Sequence, residues 1–325
     1  MTLAEAQAAL GSYDLDIVDV QALGAGSVNS NFSVRARSGE RFFVRVYEEQ
    51  GKGGAEAELT VIRELAAAGV PTPAPRAMRQ GGYVGEHRGK PLAVHPWVDG
   101  KILCFGLVTP EAARAVGRAL ARVHLCTPAL SRVAPGRFGL DGLRERLDRV
   151  DRADASYGVV TRRIRERLEH HAARSPSSLP SGLIHGDLFR DNVLWQEVSD
   201  GTSSTADNPT LLALLDFESA SAGVFIYDVM VCVHAWCYGS GFDLSLVRAL
   251  LRGYGQERAL EPEERAGLVH QGALAALRFA TTRLTDFSLR APPGQPPARD
   301  FRRFLQRLEA LESGVLSSII DEGLA

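Results

Sequence analysis

No two of the four cysteines, Cys104, Cys126, Cys232 and Cys237, are spaced as CxxC. A zinc site or a disulfide framework is therefore not expected, and reduced thiols in a cytosolic setting are. There is also no unbroken apolar run of about 18 residues, which excludes a membrane-spanning helix. The opening MTLAEAQAALGSYD has no basic flank and carries Glu5 early, so it does not read as a secretory signal. Positive charge is not in excess: the formal net charge is -2. Nucleic acid and anionic membrane are thus not expected partners. No internal repeat is found. What is present is a 325-residue chain, 45% hydrophobic and 23% charged. That suffices for a buried core in one large domain or two lobes.

From about Ile17 to Tyr47 the text is strand-like. In R-F-F-V-R-V-Y, Phe42, Val44 and Val46 share one face, and Phe43, Arg45 and Tyr47 share the other. Gly51–Gly54 reads as a flexible turn. A helix is expected from about Glu56 to Ala68, stopped by Gly69, and Pro71, Pro73 and Pro75 end any helical reading. A further strand is expected over Pro91–Val98. Residues 1–97 thus form a small, mostly antiparallel sheet with one long helix. From there to residue 325 the text turns helical. Thr109-Pro110 opens one helix as cap and first position. Another, over Val159–Ala173, is rich in Arg and Glu and reads as a solvated face. Further helices are expected near Ile226–Trp236, Leu244–Tyr254, Pro262–Leu284 and Arg299–Ile319, with Pro292–Pro297 as a rigid connector. The polar segment Ser199–Thr210 joins two apolar runs and predicts a hairpin with a long, mobile tip.

Between apolar runs stands L-I-H-G-D-L-F-R-D-N-V-L-W, residues 183–195, with L-L-D-F-E downstream. Magnesium-dependent phosphoryl transfer needs a carboxylate to orient the attacking hydroxyl. It also needs a second carboxylate and a neutral oxygen to hold the metal. Asp187 fits the first role, and Asn192 with Asp216 fits the second. His185 is expected to pack and hold the loop's shape. Gly24 and Gly26, followed by Ser27, Asn29, Ser30 and Asn31, offer a turn with donors for phosphate or substrate.

These strings, with G-A-G-S-V-N-S-N-F, V-R-V-Y-E and A-E-L-T-V-I-R-E-L-A-A-A-G-V-P-T-P, resemble the aminoglycoside phosphotransferase/choline kinase superfamily along nearly the whole chain. The resemblance implies an α+β, bilobal protein-kinase-like fold, with a small antiparallel-sheet N-lobe and a larger, mostly helical C-lobe. ATP lies in the cleft between them. It makes Asp187 the catalytic base, Asn192 and Asp216 the Mg2+ ligands, and Ala25–Asn31 the cover over the phosphates. Glu58 becomes the ion-pair partner of the strand residue that contacts phosphate. That residue is lysine across much of the superfamily and Arg45 here. Arginine keeps the charge but is not interchangeable with lysine.

I-Y-D-V-M-V-C-V-H-A-W-C-Y, A-L-R-F-A-T-T-R-L-T-D-F and R-D-F-R-R-F-L resemble the superfamily's homoserine kinase branch; D-F-E-S-A-S-A-G departs from it. The expected acceptor is L-homoserine, as in threonine biosynthesis. Arg278 and Arg283 are candidates for its carboxylate, and Asn29, Glu218, His234 or Asp228 for its polar groups. Asp228 is more readily a brace for the catalytic loop. Trp236 and Tyr238 leave open a choline-like acceptor held by cation–π contact. Ethanolamine, an aminoglycoside, a sugar, or a silent kinase-like binding protein are the other readings. A cytoplasmic enzyme, monomer or homodimer, binding ATP and a small alcohol, is expected.

Overall fold

The computed structural model describes residues 1–24, 28–126, 136, 138–196, 209–292 and 295–321. Alternation of side chains decides its N-terminal end. Strands β1 (Ile17–Leu23), β2 (Ser30–Ala36), β3 (Arg41–Val46), β4 (Gly85–His87) and β5 (Lys90–Pro96) form one antiparallel sheet in the order β1-β2-β3-β5-β4. As the period of two requires, Phe42, Val44 and Val46 are buried on one face. They cluster there with Phe32, Val34, Leu92 and Val94, and with Ala6 and Leu10 of helix α1 (Leu3–Leu10). This helix is not among the expected elements, although Thr2 and Glu5 form a capping box. Phe43 and Arg45 stand on the opposite face.

Helix α2 (Lys52–Ala67) begins inside the expected turn, with Gly51 as its N-cap. Glycine costs a helix about 1 kcal/mol per residue. Here burial of Ala55 in the first turn, continuous with Leu59, Ile62 and Leu65, offsets that cost. The turn reading of Gly51–Gly54 is corrected accordingly.

The rest is mainly helical: α3 (Pro110–Leu125), α4 (Leu140–Ala153), α5 (Gly158–Arg174), α6 (Phe225–Trp236), α7 (Leu244–Glu257), α8 (Pro262–Arg283), α9 (Arg302–Glu312) and α10 (Ser317–Asp321). Strands β6 (Ser181–Ile184) and β9 (Ser221–Val224) pair antiparallel, as do β7 (Val193–Trp195) and β8 (Leu211–Leu214). The second pair is the expected hairpin; residues 197–208 of its tip lie outside the described residues. Helix α4 was not anticipated. The helix expected over Arg299–Ile319 is two, because Gly314 takes φ +81° between them. The Arg- and Glu-rich face of α5 is solvated, as expected: Arg165 pairs with Asp148 and Asp151, and Glu169 with Arg144. Among the described residues no helix is long and apolar enough to cross a membrane.

Helices α3 and α7 touch backbone to backbone. A Cβ on Gly117 would fall 2.1 Å from the Leu250 carbonyl oxygen, and one on Gly253 would fall 2.1 Å from that of Arg114. No side chain can move aside to relieve such a contact. Gly117→Ala should therefore destabilise the fold by about 3 kcal/mol or more, read as a lowered denaturation midpoint. A neutral outcome would contradict this packing.

Candidate active site

The segment after β6 is shaped by Gly186, which takes φ +76°; a Cβ there would meet the Ser219 carbonyl oxygen at 2.9 Å. Asp228, fully buried in the first turn of α6, accepts the backbone N–H of His185 at 2.7 Å and of Gly186 at 2.9 Å. His124, at the end of α3, donates Nε2–H to the same carboxylate at 3.1 Å and accepts the Tyr254 hydroxyl at Nδ1, 2.7 Å. The His124 ring and two backbone donors hold the Asp228 carboxyl below its usual value, against the opposing effect of burial. Asp228 is thus the loop brace, not an acceptor ligand. His185 is also fully buried: Nε2–H donates to the Leu215 carbonyl at 3.0 Å, and Nδ1 accepts from Asp187 N at 3.3 Å. It ties this loop to the segment carrying Asp216, the packing role expected of it.

Asn192 donates Nδ2–H to the Asp187 carbonyl at 2.8 Å, and its own carbonyl accepts from Leu215 N at 2.8 Å. With Val193 facing Leu214 in the hairpin, Asn192 and Asp216 are brought to the same end of that ladder. Asp216 adopts a left-handed backbone, φ 64° and ψ 68°, which turns the chain out of the strand. Its Oδ1 accepts from Arg45 Nη1 at 3.1 Å, and the same Nη1 donates to Glu58 Oε1 at 3.3 Å. Arg45 therefore bridges the sheet, α2 and the Asp216 segment. Burial pushes the Glu58 carboxyl up to about 7, with Arg45 pulling the other way. Arg45 is itself raised by Asp216 and Glu58, against the lowering effect of burial.

A cavity of about 350 Å³ lies here, lined by Leu23, Phe43, Arg45, Glu58, Ile62, His95, Trp97, Asp191, Asp216 and Phe217 among others. The Arg45 face of β3 thus turns toward it, as expected. Asn31 is buried on β2 directly beside Arg45, and Leu23 pairs with it on β1. Gly24 follows β1, with nothing within 4 Å of where a Cβ would stand. Gly26 and Ser27 lie outside the described residues. Asn29 reaches across to Glu218, donating Nδ2–H at 3.1 Å. A second cavity of about 370 Å³ touches the Asp187 loop at Gly186 and the Asp216 segment at Ser219, and reaches Phe138, Tyr227 and Gln271.

For a divalent ion, Asn192 and Asp216 supply hard oxygen donors, and Asp216 Oδ1 already attracts a cation. Among the described residues no group of three or more His, Cys, Asp or Glu side chains could hold a metal by itself. The oxygen pair fits an ion whose other ligands come from phosphate and water.

The model of the phosphotransferase enzyme family matches residues 19–268. The chain belongs to the phosphotransferase enzyme family. A homoserine kinase of Afipia carboxidovorans is 34% identical over 290 residues, 88% of this chain and 84% of that protein. One of Azorhizobium caulinodans is 32% identical over 324 residues, covering 97% and 95%. A microcompartment-associated aminopropanol kinase superposes with a TM-score of 0.70 at 19% identity over 100% of both chains. An amicoumacin kinase solved with AMP-PNP and Ca2+ gives 0.69 at 17% identity, over 96% of this chain and 92% of that one. The fold of this phosphotransferase is the expected protein-kinase-like one, an N-terminal sheet followed by a helical C-terminal part.

Several candidate residues sit elsewhere than expected. His234 is fully buried and donates Nε2–H to the Gly272 carbonyl at 2.8 Å; it is a core histidine, not an acceptor ligand. Trp236 is fully buried, donating to the Leu188 carbonyl at 2.9 Å and packed edge-on against Trp195. It cannot box a quaternary ammonium. Arg283 donates to the Asp300 carbonyl at 3.2 Å and lies over Phe304. Arg278, by contrast, is buried and meets Asp187: Nη1 lies 3.4 Å from Oδ1. The roles of His124 and Phe138 were missed. His124 lies 104 residues before Asp228, and no local pattern announces such a partner.

Burial lowers His95 and His234 to about 4 from the ordinary 6.5. In the folded chain both rings are neutral at pH 5, while in the unfolded chain they take up protons below 6.5. Their stabilising contribution is therefore complete above pH 6.5 and is lost as pH falls toward 4. Between pH 7 and pH 5 the loss should be about 2 kcal/mol per ring. Denaturant unfolding at the two pH values measures it, and a flat profile would contradict neutral rings.

Proposed function

We propose that this phosphotransferase is an ATP- and Mg2+-dependent kinase that transfers the γ-phosphoryl group to the hydroxyl of L-homoserine. Residues 1–97 act as the nucleotide clasp, and residues 98–325 carry catalysis and the acceptor. The observation that supports the reading is Asp216 on the wall of the 350 Å³ cavity, joined there to the Arg45–Glu58 pair, with Asn192 linking the Asp187 carbonyl to the neighbouring Leu215 N–H. The homoserine kinase relatives, 32 to 34% identical over most of the chain, support the acceptor.

Each residue has a physical task. The apolar walls of the 350 Å³ cavity, including Phe43, Ile62 and Phe217, exclude water around the nucleotide base. Arg45, held by Glu58, presents its planar fork to phosphate oxygens, beside Gly24 and Asn31. Asn192 and Asp216 would hold Mg2+, which when bound would neutralise charge on the phosphate oxygens. Asp187 accepts a hydrogen bond from the acceptor hydroxyl, orients it in line, and takes its proton as the new P–O bond forms and the bond from the γ-phosphorus to the bridging oxygen breaks, releasing ADP. Glu218, to which Asn29 donates, supplies the anionic partner for the acceptor's ammonium. The enzyme works in the cytoplasm as a monomer or homodimer, without nucleic acid or membrane.

Asp187→Asn should reduce transfer by about 10³-fold or more while leaving ATP affinity within a few-fold, read by coupled ADP release and nucleotide titration. Wild-type turnover in that variant would remove Asp187 from the mechanism. Asp216→Ala should abolish the magnesium dependence of ATP binding. Titration with and without Mg2+ checks it, and an unchanged difference between the two would assign the ion elsewhere.

A further inference from the structure

Arg278 is a cation set deep in the protein and poorly satisfied there. It is 4% exposed. Its guanidinium carbon stands 4.0 Å from the centre of the Phe138 ring and 3.8 Å from that of Phe279. Rings over its faces leave the in-plane N–H groups as its way to bind. Among the described residues, only the 3.4 Å contact of Nη1 with Asp187 engages them, and Nε is buried without a partner. A buried guanidinium normally fills its donors, because leaving them unmatched costs free energy. The matching partner for a planar fork is a carboxylate gripped by two N–H groups.

The position of Arg278 says whose carboxylate. Gln271, Leu274 and Arg278 fall on one face of α8 at i, i+3 and i+7. Gln271 and Leu274 line the 370 Å³ cavity, as does Phe138, whose ring lies on the guanidinium. That cavity reaches Gly186, the residue before Asp187, and has no lining residue in common with the nucleotide cavity.

We propose that Arg278 is the receptor for the acceptor's α-carboxylate, and that it selects hydroxylated amino acids over amino alcohols lacking that group. Nη1 rests on Asp187. An acceptor carboxylate takes the free donors and sets the hydroxyl at the Asp187 carboxylate. This rests on the kinase reading above and adds the residue that chooses the substrate class.

The test compares L-homoserine with 3-aminopropan-1-ol, the same molecule without its carboxylate, in wild type, Arg278→Met and Arg278→Lys, by kcat/KM from ADP release. Wild type should favour homoserine by about 10²- to 10⁴-fold. Arg278→Met should lose most of that preference, chiefly through KM for homoserine, and the ratio should collapse toward one. Arg278→Lys keeps the charge beside Asp187 but not the fork, so it should recover little of the ratio. Thermal melting with ATP and Mg2+ confirms that each variant is folded. If both acceptors fall by the same factor in kcat, and lysine restores both, Arg278 only positions Asp187 and the proposal is wrong. Wild type that uses both acceptors equally also overturns it, while leaving the kinase reading intact. Wild type that phosphorylates neither overturns both.

Discussion

The geometry of the site depends on one buried carboxylate. Asp228 has no solvent exposure, and it is kept ionised by the backbone N–H groups of His185 and Gly186 and by the His124 ring. A charge in such a place is stable only while every donor stays put. The backbone of the Asp187 loop is therefore locked to α6 and α3 at once. The lock extends outward: His124 is held by Tyr254 of α7, and α3 and α7 approach so closely that Gly117 and Gly253 admit no side chain. Packing far from the cleft thereby sets where Asp187 stands.

A second constraint runs across the cleft. Arg45 joins α2, through Glu58, to the Asp216 segment. Asn29 joins the start of β2 to Glu218, two residues beyond Asp216. His185 joins the Asp187 loop to the same segment through the Leu215 carbonyl. Residues 215–218 are thus the meeting point of the sheet, α2 and the loop. The left-handed backbone at Asp216 is the local cost of bringing them together.

Much of this was legible in the sequence because its signals are local. H-G-D-L-F-R-D-N compresses too much polar chemistry between apolar runs to be a simple strand, and the turn-rich stretch after Trp195 announced the hairpin. Alternation in R-F-F-V-R-V-Y placed Arg45 on the cleft face. What was not legible depends on distant partners. His234 looked available because an apolar helix offers no neighbour for it, but its partner is the Gly272 carbonyl on α8. Arg278 read equally well as a surface residue, because the phenylalanine that covers it comes from residue 138. The start of α2 was misread because glycine propensity is local, whereas the burial of Ala55 that overrides it is tertiary.

The two cavities are walled by different residues. Inheritance can therefore treat them separately. Changes along α8 and around Phe138 can remodel one cavity over generations while the wall that carries Arg45 and Asp216 is preserved. A lineage built on this plan can acquire new alcohols as substrates without reinventing the way it spends ATP.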